Sequence, residues 1–319
     1  MKPTILAMEP FKKTVVWGSR ALESYGKGPA EHLGESWEIS CVEGGLSKDA
    51  ASGRPLRDFF LEDPEHFLGS ESALRSFPWL IKLLATADWL SLQVHPSDQQ
   101  ALDLVGRPLG KRECWLILEA TEGAEIFLGL REGAGKEDLR AALAAGTKEA
   151  VEAVLRRVTV RAGDLFDITP GTLHALGPGL VLLEVQQPVD LTYRVFDWQR
   201  VGLDGKPREL HVEQSLAVLD ENSRPSALAP LAPLAGIPGQ RLLHNDKFRL
   251  ERWFIHGHER IPVTELLGVV CLGGAGDAQV PPGPGIWLER GRSFVVPRGV
   301  SFLDLRGESL DLAVALPPL

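Results

Sequence analysis

Short apolar segments separated by glycine and proline recur along most of the chain, and they constrain its fold more than any other feature. The 319 residues include 33 glycines and 23 prolines. Six segments are rich in β-formers or alternate apolar and polar residues, which is typical of strands. They are Glu35–Val42, Trp89–Val94, Cys114–Glu119, Leu180–Gln186, Phe248–Ile255 and Val263–Leu272. Many short strands joined by turns predict a mainly β fold, as a sandwich or barrel.

One stretch departs from this pattern. Gly135–Val158 is rich in Ala, Glu, Leu and Arg, and its apolar residues recur at helical spacing. We predict two short helices here, broken near Gly146, as a small insertion between strands. Asp58–Phe77 is predicted to add another helical turn or two.

Two segments of the chain are similar to each other. Residues 161–176 and 290–305 each have a basic residue, a glycine, a β-rich run and a Pro/Gly turn before a short strand. His174 follows the turn in the first segment, and Phe302 holds that place in the second. This hairpin shape is that of the second cupin motif, so we predict two cupin-like β-barrels (a bicupin) of which only the first keeps a metal. The alternative is that any two β-hairpins look this similar.

A segment rich in Pro, Ala and Leu, 222–239, predicts a linker. It divides the chain into a cupin-like domain over 1–221, with the helical insertion near 135–158, and a C-terminal β domain over 240–319. The second domain is a degenerate cupin, for which we expect a role in packing and stability.

The charge and the cysteines exclude several classes of protein. A net charge of -9 makes nucleic acid and anionic membrane poor partners, although a pocket with a few cations still suits a small anion. The three cysteines, Cys41, Cys114 and Cys271, are far apart, odd in number and form no CxxC pair, which argues against a disulfide framework and a thiolate zinc site. No signal peptide or run of about 18 apolar residues is present, so we expect a cytoplasmic protein.

Four polar residues beside predicted strands suggest a metal site. Gln93 and His95 are two apart on one strand and face the same side. Alone, this pair indicates hydrogen-bonded strand residues rather than an ion. Glu113 precedes the next strand and His174 follows a tight turn, and alone each indicates a surface residue. Together the four offer nitrogen and oxygen ligands that suit Zn²⁺ or a similar divalent ion and leave room for a substrate.

Further charged residues lie in apolar surroundings. Asp190 and Arg194 form either a structural salt bridge or a pair in which the arginine orients a phosphate or an oxyanion. Lys82 either extends to the surface or points into the pocket. Lys111 precedes Glu113 by two residues and can face the same pocket. Six other histidines lack comparable partners: His32, His66, His211, His244, His256 and His258.

These residues lie in motifs that together resemble type I mannose-6-phosphate isomerases of the short bacterial form, in the cupin superfamily. The resemblance covers nearly the first 220 residues, whereas the C-terminal part resembles the family only in length and β-character. The motifs are Trp17-Gly18, GESWEIS (34–40), PWLIKLL (78–84), LSLQVHPSD (90–98), GKRECW (110–115), GDLFDITPGTLHALGPG (163–179), VLLEVQQ (181–187), DLTYRVFDW (190–198) and RELHVEQSL (208–216).

The resemblance implies a bicupin fold and one zinc ion per chain, bound by Gln93, His95, Glu113 and His174. It implies interconversion of mannose 6-phosphate and fructose 6-phosphate, which moves a proton between C1 and C2 through a cis-enediol. The expected partner is a small sugar phosphate, and the expected oligomeric state is a monomer.

The resemblance also places Lys111, Asp190 and Arg194 among the catalytic residues. Arg194 would stabilise the enediolate, and the base would be Lys111, Asp190 or a metal-bound water. The residues expected to bind the substrate are Lys82, Ser91, Lys111 and Arg194. Of these, Lys82 or Lys111 would contact the phosphate. The family commonly has Pro or Thr where this chain has Arg112, which would either add a cation near the phosphate or face solvent.

Other functions are compatible with parts of this pattern. One is an isomerase or epimerase of another sugar phosphate, including a cupin-type glucose-6-phosphate isomerase, whose motifs differ from those above. A cupin oxygenase would hold iron with more histidine ligands. A non-catalytic sugar-binding or regulatory cupin would not need the Asp190 and Arg194 pair.

Overall fold

The computed structural model describes residues 2, 4–70, 74 and 76–319, and it is mainly β. Strands make up 42% of the chain and helices 15%, in several sheets, which confirms the predicted class. The first thirteen strands are β1 (Leu6–Glu9), β2 (Phe11–Ser19), β3 (Leu33–Ile39), β4 (Lys48–Asp49), β5 (Leu80–Ala85), β6 (Leu92–Val94), β7 (Glu113–Ala120), β8 (Glu125–Leu130), β9 (Leu155–Thr159), β10 (Leu165–Ile168), β11 (His174–Leu176), β12 (Leu180–Gln186) and β13 (Tyr193–Phe196).

Eleven of these strands form two antiparallel sheets. A six-stranded sheet has the order β10-β7-β12-β5-β3-β2, and a five-stranded sheet has the order β13-β6-β11-β8-β9. One buried apolar cluster includes Leu84 and Trp115 of the first sheet and Ile126 and Leu128 of the second. The sheets therefore pack face to face, and residues on their inner faces share one interior.

The rest of the chain forms a larger sheet. Its strands are β14 (Ala232–Pro233), β15 (Gly239–His244), β16 (Arg249–Pro262), β17 (Leu267–Gly273), β18 (Ala275–Gln279), β19 (Gly285–Glu289), β20 (Ser293–Val296) and β21 (Phe302–Leu316). The strands β1 and β4 join this sheet, because Leu6 pairs with Val295 and Met8 with Asp49. The N-terminal end of the chain thus completes the C-terminal sheet.

Short helices lie between the strands. They are a 3-10 helix (Ala21–Tyr25), α1 (Leu56–Glu62), α2 (Pro64–Leu68), α3 (Asp98–Val105), α4 (Lys136–Ala145), α5 (Lys148–Glu152) and α6 (Val212–Val218). The two helices predicted in Gly135–Val158 are present, separated by Gly146 in a left-handed conformation (φ 72°). The end of that stretch is instead strand β9, because Ile126 of β8 pairs with Val158. The predicted helical stretch Asp58–Phe77 contains most of α1 and all of α2, and residues 71–73 and 75 lie outside the described part.

None of the helices within the described ranges combines the length and apolar character needed to cross a bilayer.

Candidate active site

Strand pairing in the five-stranded sheet brings three predicted site residues into one row. Gln93 of β6 lies opposite His174 of β11 on one side and opposite Arg194 of β13 on the other. Side chains of directly opposed residues project to the same face of a sheet. Residues up to about a hundred positions apart in sequence are therefore neighbours on one face.

The two histidines meet a glutamate from the opposite sheet. His95 follows β6, and Glu113 is the first residue of β7 in the six-stranded sheet. Glu113 Oε2 lies 3.6 Å from His95 Nε2, and Oε1 lies 3.4 Å from His174 Nε2. One ligand atom from each of these three buried residues lies within 4.8 Å of the others, a spacing that one metal ion can bridge.

Main-chain carbonyls orient both imidazole rings. Nδ1 of His95 donates to the carbonyl of Leu191 (3.1 Å), and Nδ1 of His174 donates to the carbonyl of Thr172 (2.9 Å). A carbonyl only accepts, so each Nδ1 carries the proton and each Nε2 keeps its lone pair. Carbonyl acceptors of this kind commonly orient metal-binding histidines.

The atoms that face one another are poorly satisfied by the protein. Within the described residues, neither Oε1 of Glu113 nor Nε2 of His174 has a hydrogen-bond partner. Such buried acceptors are costly unless an unseen partner occupies the space between them. The ammonium of Lys111 lies beside them, 2.6 Å from Glu113 Oε2 and 3.1 Å from His95 Nε2. Two imidazole nitrogens and a carboxylate are a donor set that fits a catalytic zinc ion.

Both rings are held in the neutral form that binds metals. Burial lowers the pKa of His174 to about 4. Burial, together with the positive charge of Lys111, lowers the pKa of His95 well below its ordinary value. Above these values Nε2 is unprotonated and able to bind a cation.

A tight turn fixes the position of His174. Gly171 adopts φ 85°, in the left-handed region, and its N–H donates to the carbonyl of His95 (2.8 Å). A Cβ at this position would lie 3.0 Å from the side chain of Asp220 and 3.1 Å from the carbonyl oxygen of Val218. Glycine therefore allows the turn to approach its neighbours closely while it carries His174 to the start of β11.

A cavity of about 260 Å³ lies on the same side as Gln93 and Lys111. It is lined by every residue predicted to bind substrate or to act in catalysis, namely Lys82, Ser91, Lys111, Asp190 and Arg194. The other lining residues are Lys13, Trp17, Glu35, Leu84, Leu90, Gln93, Glu184, Thr192 and His211. The predicted residues thus share one cavity, and Lys111 joins it to the histidine and glutamate cluster.

Lys82 is buried in a network of acceptors. Its ammonium donates to Glu184 Oε1 (2.9 Å) and Gln186 Oε1 (2.7 Å), and it lies 3.6 Å from Glu35 Oε2. Burial acts to lower the pKa of Lys82, but the carboxylates of Glu184, Glu35 and Asp190 outweigh it and leave this pKa above its ordinary value. The side chain therefore does not extend to the surface.

Asp190 and Arg194 both line the cavity, but no ion pair joins them in the part of the chain that the structure describes. Asp190 Oδ2 lies 3.7 Å from Lys13 Nζ, whereas Arg194 Nη1 donates to the carbonyl of Glu209 (2.9 Å). Burial acts to raise the pKa of Asp190, but Lys13 and Lys82 lower it below its ordinary value. The salt-bridge interpretation of this pair is thus wrong.

Arg112 is partly exposed, with 21% of its side chain accessible, and does not add a cation to the cavity. Its Nε donates to Asp167 Oδ1 (3.0 Å) and its Nη1 to Asp246 Oδ1 (2.7 Å), so its charge is already paired. Arg112 is also not among the residues that line the cavity.

Sequence reasoning missed four titratable cavity residues: Lys13, Glu35, Glu184 and His211. For the two glutamates a signal existed, because each is a charge inside a largely apolar strand, as Lys82 is. For His211 the only signal is its place in the motif RELHVEQSL (208–216), because spacing alone does not show that it contacts Arg194, 17 residues before it.

No protein-family model matches the chain. Among curated proteins, the mannose-6-phosphate isomerase of Streptococcus mutans is 38% identical over 313 residues, which are 96% of each chain. The probable mannose-6-phosphate isomerase of Bacillus subtilis is 34% identical over 276 residues, or 84% of this chain and 86% of that one.

Solved structures are similar over almost the whole chain. The crystal structure of the mannose 6-phosphate isomerase from Bacillus subtilis has a TM-score of 0.88 and 29% identity, and covers 98% of this chain and 99% of that one. A zinc-bound mannose 6-phosphate isomerase shares the fold with a TM-score of 0.76 and 18% identity, covering 99% of this chain and 100% of that one.

Proposed function

Because the chain belongs to the mannose-6-phosphate isomerase family and is an isomerase of that kind, we propose that it interconverts mannose 6-phosphate and fructose 6-phosphate through a cis-enediol with one zinc ion per chain. The proposed ligands are Gln93, His95, Glu113 and His174. A zinc-bound relative with the same fold supports the choice of metal.

One observation carries the proposal. Oε1 of Glu113 and Nε2 of His174 face each other, fully buried, without a hydrogen-bond partner in the described ranges, and Oε2 of Glu113 is paired with the ammonium of Lys111. Nε2 of His95 completes the group, and Gln93 lines the adjoining cavity opposite His174. Lys111 contacts one side of this cluster, but the two acceptors without a partner are costly to bury unless a further cation binds between them.

The reaction requires a proton to leave one carbon while charge develops on the neighbouring oxygens. A bound divalent ion supplies a Lewis acid for those oxygens. We assign the C1–C2 end of the sugar to the Lys111 end of the cavity, because the Lys111 ammonium lies beside Glu113 and His95. There Lys111 can hold or move a proton at the reacting carbons or their oxygens.

Arg194 is proposed to stabilise the enediolate. It is opposite Gln93, and its Nε has no hydrogen-bond partner within the described residues. A guanidinium with a free donor can bind an oxygen that gains charge. Asp190 is the weaker candidate for the base, because its pKa is lowered while Lys13 lies beside it.

Lys82 and Ser91 complete the proposed substrate-binding residues. Ser91 is buried on the cavity wall with its hydroxyl available as a donor or acceptor. Lys82 contributes positive charge to the same wall, and Glu184 and Gln186 accept two of its three N–H donors, which leaves one for a substrate oxygen.

We also propose the bicupin description and the domain limits 1–221, 222–239 and 240–319, with the strands β1 and β4 of the first domain pairing into the sheet of the last. The similar segments support it, because β10 and β20 each span four residues and are each followed, after five non-strand residues, by a strand that begins at His174 or Phe302. A cytoplasmic monomer that binds no nucleic acid fits the acidic charge of -9.

The test is a coupled assay that detects fructose 6-phosphate formed from mannose 6-phosphate, before and after chelation and zinc re-addition. Activity that is lost on chelation and restored by zinc supports both the reaction and the metal. Robust activity after exhaustive chelation would support the isomerase activity but contradict the proposed zinc site. Zinc at one per chain without turnover excludes mannose 6-phosphate as the substrate.

A matched pair of variants localises the metal. Glu113→Gln should lower zinc content and activity together, because it removes the anionic ligand. Glu132→Gln makes the same change at an exposed position and should change neither. Full zinc content in Glu113→Gln would contradict the ligand assignment.

A further inference from the structure

His211 is joined to Arg194 by two hydrogen bonds. The main-chain N–H of His211 donates to the carbonyl of Arg194 (2.7 Å), and the main-chain N–H of Arg194 donates to Nδ1 of His211 (3.2 Å). Because Nδ1 accepts a hydrogen bond, the neutral ring carries its proton on Nε2. The fold therefore selects one tautomer of this histidine.

The protonated nitrogen belongs to a ring that lines the active-site cavity. His211 is one of the lining residues, and 25% of its side chain is exposed. Glu209 Oε2 is 4.0 Å from Nε2, beyond hydrogen-bond distance, and the Glu209 side chain is 84% exposed. Among the residues that the structure describes, Nε2 has no hydrogen-bond acceptor, so it is available to a ligand.

We propose that His211 binds the substrate through Nε2–H, which donates to an oxygen of the bound sugar phosphate, while Nδ1 holds the main chain of Arg194. This inference rests on the proposed function of the cavity. One side chain then has two separable roles, a substrate contact at Nε2 and the positioning of Arg194 through Nδ1.

A neutral donor is well suited to this position. Four cations and three carboxylates already line the cavity, namely Lys13, Lys82, Lys111, Arg194, Glu35, Glu184 and Asp190. A neutral imidazole adds a directed hydrogen bond without further charge, and a sugar phosphate offers acceptors on both its hydroxyl and its phosphate oxygens. A doubly protonated ring would have no acceptor for the Arg194 N–H.

Two substitutions separate the roles. The amide of asparagine reaches the position of Nδ1 and can still accept from Arg194, but it removes the Nε2 donor. The amide of glutamine reaches the position of Nε2 and keeps a donor there, but it leaves the Arg194 N–H without its acceptor. His244→Asn makes the same change as His211→Asn at an exposed position on β15 and serves as the control.

Steady-state kinetics of zinc-loaded enzyme give the first readout. His211→Asn should raise KM about tenfold, the value of one lost hydrogen bond, with kcat within about threefold of the parent. His211→Gln should keep KM near that of the parent and lower kcat, because Arg194 is less well held. An unchanged KM in His211→Asn, or identical effects of both variants, would overturn the proposal.

The tautomer gives a second readout that needs no turnover. In ¹⁵N-histidine-labelled protein, the resonance lost in His211→Asn should be that of a ring protonated at Nε2 only. A proton on Nδ1 would overturn the assignment of His211 even in an active isomerase. An inactive parent enzyme with the Nε2 tautomer would instead refute the proposed function.

Discussion

Lys82→Met should destabilise the protein strongly, because Lys82 is a buried cation between carboxylates. The side chains of Lys82 and Glu184 are each 5% exposed, and their charged atoms are 2.9 Å apart. Removing one partner of such a pair costs about 3–5 kcal/mol, since the other charge stays buried and unpaired. Glu35 keeps two other partners, Trp37 Nε1 at 2.8 Å and Lys13 at 3.7 Å. Only Glu184 loses its cation, so we expect the lower end, about 3 kcal/mol.

Thermal unfolding followed by circular dichroism measures this effect. At roughly 2 °C per kcal/mol for a chain of this size, Tm should fall by about 6 °C. Lys148→Met is the matched control, because the Lys148 side chain is 48% exposed and its pair with Glu152 at 3.7 Å contributes little. Adding Glu184→Gln to Lys82→Met should recover part of the loss, because it removes the unpaired charge.

Two results would refute this reasoning. A Tm within about 1 °C of the parent would mean that the pair is not buried as described. A double variant less stable than Lys82→Met would mean that Glu184 is stabilised by something other than Lys82. A stable Lys82→Met with a raised KM would instead favour a direct contact between Lys82 and the phosphate.

Two further predictions concern catalysis and the ligand geometry. Arg194→Ala should lower kcat about 10²–10³-fold and leave one zinc per chain by atomic absorption, because the residue stabilises charge without binding the metal; loss of zinc would show that this role is wrong. Gly171→Ala should lower Tm and weaken zinc binding in a metal titration, because its Cβ would contact Asp220 and Val218 at 3.0–3.1 Å and displace the turn before His174. Gly163→Ala is its control, since Gly163 also has a positive φ (94°) but no atom within 4 Å of the added Cβ; equal effects of the two variants would leave only backbone strain as the cause.

The sequence predicts those parts of the fold that depend on local pattern. Leu180–Gln186 is a strand over the predicted residues, because its β-rich run lies between turn residues. Leu155 begins a strand although its neighbours favour helix, because pairing with β8 outweighs helical propensity. The addition of β1 to the C-terminal sheet depends on contacts almost 290 residues apart, which local pattern does not encode.

The residues of the candidate site likewise fall into two groups, those that local sequence pattern predicts and those that depend on contacts between distant segments. Gln93 and His95 are detected because spacing along one strand fixes their shared face. Glu184 is not, because its role depends on the register that sets it opposite Lys82 in the neighbouring strand. His211 is recognised only once the segment before α6 returns to β13.

An acidic protein that binds an anion needs a local excess of positive charge, and here that excess depends on the metal site. The cavity is lined by four cations and three carboxylates, and Glu113 lies 2.6 Å from one of the cations, Lys111. Without a bound metal these charges balance, so the cavity should attract a phosphate weakly. A divalent cation adds two positive charges, which should favour an anion in a partly buried cavity.

We therefore expect glucitol 6-phosphate, a reduced analogue without a carbonyl, to bind at least about tenfold more tightly by calorimetry to zinc-loaded protein than to chelated protein. The gain should shrink with added salt and be smaller for unphosphorylated glucitol. Equal affinity of the analogue for both forms would show that the protein's own cations suffice and that this charge balance is wrong.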